Sequence, residues 1–168
     1  MAHPLGAAAL GRRLSRRDQI KLTPSEQLEL LEAERVVVIG TNGSRGWPHL
    51  MPMWFVPRDG IVWVWTYAKS QKVKNLYRDA RTTLLIETGE EYTELKGIQI
   101  EAEAKIHNDP EIVVEFGKEL TIRYSEGIES IEGDAAAALE AQASKRVAIS
   151  FEPKQVASWD HSKLGGTY

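Results

Sequence analysis

A chain of 168 residues, 42% hydrophobic and 27% charged, has the size and balance of one soluble domain with a real core. Its formal net charge of -3 argues against general binding to nucleic acid or to an anionic membrane surface, so a small molecule or a protein is the expected partner. With no cysteine there can be no disulfide, thiolate metal ligand or cysteine nucleophile, and a cytoplasmic setting is the simple reading.

The first segment, residues 1–22, is rich in small and basic residues without periodicity, which fits a flexible arm laid on a partner subunit. Arg12, Arg13, Arg16 and Arg17 are not followed by the apolar stretch of a signal peptide, and no apolar run reaches the roughly 18 residues of a membrane span. At TPSE, Thr23 offers an N-cap, Pro24 the first helical position and Glu26 the reciprocal cap, predicting a helix over 23–34 with Leu28, Leu30 and Leu31 buried. RVVVIGT from Arg35 is a β-branched run that reads as a strand, ended by the turn NGSRG.

PHLMPMWFV, the turn PRDG and IVWVWTYA then form two hairpin-linked strands, with Ile61, Trp63 and Trp65 on one face and Val62, Val64 and Thr66 on the other. Pro52 inside the first of these implies an edge, a bulge, or a place where a missing N–H leaves room for a ligand. A short helix over 70–78 precedes the strand TTLLIET. EYTELKGIQIEAEAKIH alternates over a long range and reads as one strand, with Ile98, Ile100, Ala102, Ala104 and Ile106 inward. Asp109 before Pro110 starts a helix carrying Ile112, Val113, Phe116 and Leu120, and a second helix is expected over 134–142. KRVAISFEPKQVASW supplies a closing strand. The predicted class is mainly β with peripheral helices (α+β), six antiparallel strands closing or nearly closing a barrel over 23–160, with a tail at 161–168.

Chemistry concentrates at the start of the short helix. Ser70 can cap it, Lys72 lies in its first turn, and the free N–H groups there form an anion site to which a lysine adds full charge. The competing reading, in which Lys69, Lys72 and Lys74 only solvate an exposed helix, remains open on composition, although the helix dipole disfavours a cation at that end unless an anion answers it. Trp47, Trp54, Trp63, Trp65 and Tyr67 lie on neighbouring strands; most suit a core or an interface, and Trp54 beside Pro52 and Met53 is the one kept as a ring contact. His3, His49, His107 and His161 are too scattered for a metal site, and there is no nucleophile elbow, phosphate loop or dinucleotide fingerprint.

The stretches HLMPMWFVPRDGIVWVWT and SQKVKNLYRDARTTLLIE, the long strand with Lys96 and Gly97, and a closing strand ending VASWD resemble the split-barrel flavin and deazaflavin oxidoreductases, the superfamily of pyridoxamine 5'-phosphate oxidase. The resemblance covers residues 23–159 and implies a six-stranded antiparallel split β-barrel of the FMN-binding type. It implies that Lys72 grips the cofactor phosphate with help from Thr66 and Ser70, and that Met51, Pro52, Met53 and Trp54 run beside the tricyclic ring. Trp159 of the closing strand joins this cofactor set. The chain looks closest to the actinobacterial branch that often uses the deazaflavin coenzyme F420, whose polyglutamate tail would suit Lys69 and Lys74. The closing segment lacks the arginine and histidine pair of a pyridoxamine phosphate oxidase. The implied activity is hydride transfer from reduced F420 to an unsaturated or quinone-like small molecule by a homodimer with the cofactor at its interface; the hydride step requires no dedicated acid or base, and no catalytic residue is assigned. FMN in place of F420, and a non-catalytic flavin or deazaflavin carrier, are the alternatives.

Overall fold

Alternation at every second residue places one face of each strand inward, and in the computed structural model, which describes residues 15–165, six such strands close on themselves. They are β1 (Val36–Asn42), β2 (Pro48–Arg58), β3 (Ile61–Tyr67), β4 (Arg81–Thr88), β5 (Lys96–His107) and β6 (Arg146–Asp160). The order round the barrel is β1-β2-β3-β6-β5-β4, with β4 returning to β1 and every pairing antiparallel. Val37, Ile39, Phe55, Val62, Val64, Leu84, Ile86, Ile98, Ile149 and Phe151 fill the interior and are almost wholly buried.

Among the described residues five α-helices lie outside the barrel: α1 (Arg16–Gln19), α2 (Pro24–Ala33), α3 (Gln71–Arg78), α4 (Pro110–Tyr124) and α5 (Gly133–Ala143). Asp109 caps α4 by accepting from the N–H groups of Glu111 and Ile112. A second apolar cluster lies under α4 and α5, where Val56, Trp65 and Ala148 from the barrel's outer face meet Val113, Phe116, Leu120 and Leu139. The alternation expected in β3 is therefore real: Val62, Val64 and Thr66 face in, while Trp63 and Trp65 face the helices.

Three expectations are corrected. Leu28 is exposed, because α2 seats on the barrel through the adjacent Leu30 and Leu31, turning Leu28 aside to lie over Gly60 in the β2–β3 turn. The long strand does not include residues 92–94, which form a 3₁₀ turn closed by the Glu94 N–H to the Glu91 carbonyl, so β5 begins at Lys96. Within the expected arm, residues 15–22 are tied down: Ser15 and Asp18 form a capping box, the Asp160 N–H donates to the Ile20 carbonyl at 2.7 Å, and the Leu22 N–H donates to Ser158 Oγ at 3.1 Å. The remainder of that arm, with Arg12 and Arg13, and the last residues of the tail lie outside the described residues.

β2 pairs with β1 through residues 48–54, but with β3 only through residues 55–58. The barrel wall is thus split between β2 and β3. Pro52 sits on the unpaired lip, an edge position where its missing N–H removes no ladder bond to a third strand.

Candidate functional site

The split opens where β3 ends and α3 begins. The Ser70 N–H donates to the Tyr67 carbonyl, turning the chain, and the Lys74 N–H returns to the Ser70 carbonyl to start the helix. Ser70 therefore caps α3 through its backbone while its hydroxyl makes no cap bond, and its Oγ is buried without a partner. A buried hydroxyl without a hydrogen bond is costly and unusual in a native structure.

Lys72, within the first turn, is only 6% exposed. Its Nζ donates to Thr66 Oγ1 at 2.9 Å, and among the described residues no carboxylate pairs with it. Burial pulls its ammonium down from the ordinary value of 10.5. A desolvated cation, an orphan hydroxyl and the free N–H groups of a helix N-terminus converge here, the arrangement an incoming phosphate would satisfy. The solvated-face alternative fails for Lys72 and holds for Lys69 and Lys74, both exposed.

Behind Lys72 stands a polar support that sequence reading missed. Asn75, fully buried, donates from Nδ2 to Thr41 Oγ1 at 3.0 Å, and its Oδ1 accepts from Gln71 Nε2 at 2.9 Å. This bond anchors α3 to β1 inside the barrel. The signal available was spacing alone, an asparagine three positions after the lysine. His49 was also missed: it shares the inner face of β2, its Nδ1 is buried without a partner, and it lines a cavity of about 250 Å³ with Gln71, Asn75, Arg45 and Trp47.

The lips of the split carry the predicted ring contacts. Counting outward from the Phe55–Val64 pair, Met53 and Thr66 stand two positions along on opposite lips. Met51 and Met53 share the inner face with Ile39 and Val37, their partners across β1, whereas Pro52 and Trp54 share the outer face with Val38 and Val36. Trp54 is 57% exposed, with its ring stacked on Tyr124 at 4.5 Å between centroids. Trp159 is not brought to this group within one chain. Thr66 pairs with Val147 on β6, and Trp159 lies twelve positions further along that strand, folded over Gly97. That is on the order of 40 Å of strand.

A cavity of about 540 Å³ lies on the opposite side of the wall, between α4 and α5, lined in part by Glu111, Glu115, Glu140 and Arg146. Three carboxylates make it a poor seat for a phosphate, and Arg146 is occupied against the rings of Trp65 and Tyr67 at 4.4 and 4.3 Å. Among the described residues no group of three or more His, Asp or Glu is placed to hold a metal, and no helix is long and apolar enough to cross a membrane.

Comparison with known proteins gives concordant results. A family model described as pyridoxamine 5'-phosphate oxidase matches residues 23–160. Among solved structures, a conserved hypothetical protein from Mycobacterium tuberculosis is 32% identical with a TM-score of 0.82, covering 92% of this chain and 95% of that one. A protein described as F420 reductase is 19% identical with a TM-score of 0.59, covering 76% of this chain and 93% of its own. An FAD-binding protein from Mesorhizobium loti is 14% identical with a TM-score of 0.61, covering 82% and 94% respectively. The last two likenesses show the fold alone. No curated protein matches the sequence.

Proposed function

The chain belongs to the pyridoxamine 5'-phosphate oxidase family, within the split-barrel flavin and deazaflavin superfamily, and on that premise we propose that it is an oxidoreductase dependent on the deazaflavin F420. The observation that carries this reading is the buried, carboxylate-free Lys72 beside the unpartnered Ser70 hydroxyl at the start of α3. These residues fit a phosphate: Lys72 Nζ has donors left after its bond to Thr66, and the orphan hydroxyl gains a partner. Met51, Pro52, Met53 and Trp54, on the lip across the split, would flank the ring.

When bound, the deazaflavin supplies a hydride to an unsaturated or quinone-like acceptor; the protein's part is to hold, orient and desolvate. Lys72 and Thr66 would fix the phosphate, Asn75 keeps α3 in register with the barrel, and the methionines would present a polarizable wall. Exposed Lys69 and Lys74 lie outside the phosphate seat, in reach of a polyanionic tail. The separation along β6 of Trp159 from Val147, the partner of Thr66, favours a homodimer in which each site takes Trp159 from the other chain. FMN would satisfy the same phosphate seat and is the alternative cofactor. A non-catalytic carrier role is favoured by one observation: none of Met51, Pro52, Met53 or Trp54, the residues that would flank the ring, is titratable.

Fluorescence titration of the purified apo-protein with F420 and, in parallel, with FMN tests the proposal. Submicromolar binding of F420 with FMN much weaker is expected; the reverse order moves the protein to FMN, and binding of neither overturns the proposal. Turnover of a quinone acceptor by the loaded protein separates enzyme from carrier.

A further inference from the structure

Trp54 owes its place to a residue far away in sequence. Tyr124, the last residue of α4, lays its ring against Trp54 at 4.5 Å and 15°. Its hydroxyl accepts from the Phe55 N–H at 3.0 Å and faces the carbonyls of Arg35 at 2.5 Å and Phe55 at 2.9 Å, one proton serving the two. These backbone groups mark the point where β2 stops pairing with β1 and starts pairing with β3. One side chain thus closes the end of the β1–β2 ladder, where the split begins, and covers one face of the tryptophan beside it.

The end of α4 is itself fixed. The guanidinium of the preceding Arg123 donates to the carbonyls of Leu31, Glu32 and Glu34, capping the end of α2, and pairs with Glu32. Arg35 closes the circuit by donating to the Arg123 carbonyl at 2.8 Å. Tyr124 is therefore a rigid mount.

We infer that Tyr124 is a positioning residue that sets the orientation of Trp54, so that the free face of that indole forms one wall of the slot for a planar tricyclic ring. This rests on the proposed flavin or deazaflavin reading for the ligand, while the mounting of Trp54 by Tyr124 stands independently of it. Tyr124 touches no candidate phosphate group, so its loss acts on the ring end of the ligand and not on the phosphate end.

The test compares wild type, Tyr124→Phe, which keeps the stack and loses the hydroxyl, and Tyr124→Leu, which loses both. Near-ultraviolet circular dichroism of the apo-proteins reads the Trp54–Tyr124 pair without any ligand. Titration with FMN and with F420, and competition by inorganic phosphate, separate ring binding from phosphate binding. Both variants are expected to change the tryptophan bands of the dichroism, Tyr124→Leu more than Tyr124→Phe, and Tyr124→Leu to weaken binding of whichever cofactor wild type takes roughly three- to ten-fold, the scale of a lost aromatic stack, with phosphate competition unchanged. Unchanged tryptophan dichroism and affinity in Tyr124→Leu would overturn the inference, as would equal loss of ring and phosphate binding, which marks a general structural defect. Should wild type bind neither cofactor, the ring-slot part of the inference falls together with the proposed function; altered dichroism in both variants would then support the mounting alone.

Discussion

His107 shows how a single side chain can tie stability to pH without belonging to the site. Its ring stacks on Trp63 at 4.6 Å and shares a 2.9 Å hydrogen bond with Ser150 Oγ. Burial, then the charges of Lys105 and Arg58, hold its pKa below the ordinary 6.5. Arg58 is itself over the Trp63 ring and paired with Glu119, so its charge is fixed near the imidazole. The unfolded chain takes up this proton first, so stability conferred by neutral His107 is intact above pH 6.5 and is lost as pH falls from there through the folded pKa. His107→Phe, which keeps the stack and cannot titrate, is expected to flatten the stability-pH curve below 6.5 in denaturant melts; an unchanged slope would assign it elsewhere. At this scale Lys72 was legible because helix-start chemistry is local, five residues spanning cap, cation and turn. Tyr124 was not legible, since its partners lie 69 and 89 positions away and nothing in the end of a helix announces them.

Among elements, β2 decides the architecture by changing partners partway along its length. Alternation and turn chemistry predict β2 and β3 as a hairpin, and they are one, but only over residues 55–58. What pattern cannot reveal is where a ladder stops, because the same apolar alternation serves a paired strand and a lip. Pro52 was the one local sign. The seat of α4 was legible from its apolar spacing, yet the reason for Gly117 was not: a Cβ there would stand 2.8 Å from the ring of Trp65. Trp65 is buried and held under Arg146, with little room to retreat. Gly117→Ala should therefore destabilise the protein by about 1 to 3 kcal/mol through overpacking, despite alanine's better helix propensity. Urea unfolding at constant m-value measures it, and a stabilised variant would show that α4 can lift without cost. Leu28 marks the opposite limit: the predicted buried stripe of the helix held three leucines, and the barrel had room for two.

At the scale of the whole molecule, α4 and α5 cover one outer side of the barrel, while Val36, Leu50 and Trp54 remain exposed on the outer face of β1 and β2. The closed six-stranded topology was legible because strand count, lengths and turns leave few alternatives, and the resemblance to split barrels covered the same span. The site was legible only as far as one chain contains it: Lys72, Thr66, Ser70 and the β2 lip come together, and Trp159 does not. What joins these parts is the proposed phosphate seat, whose buried cation has no internal counter-charge among the described residues. The most direct measurement is the dissociation constant of F420, or of FMN if that binds tighter, for wild type against Lys72→Ala, with the melting temperature of both apo-proteins recorded as a check on folding. If Lys72 holds the phosphate, a folded variant that binds more weakly by about 1 to 3 kcal/mol, roughly five- to 150-fold, is expected, the scale of losing a charge-assisted hydrogen bond to an anion. Equal dissociation constants in two well-folded proteins would contradict it.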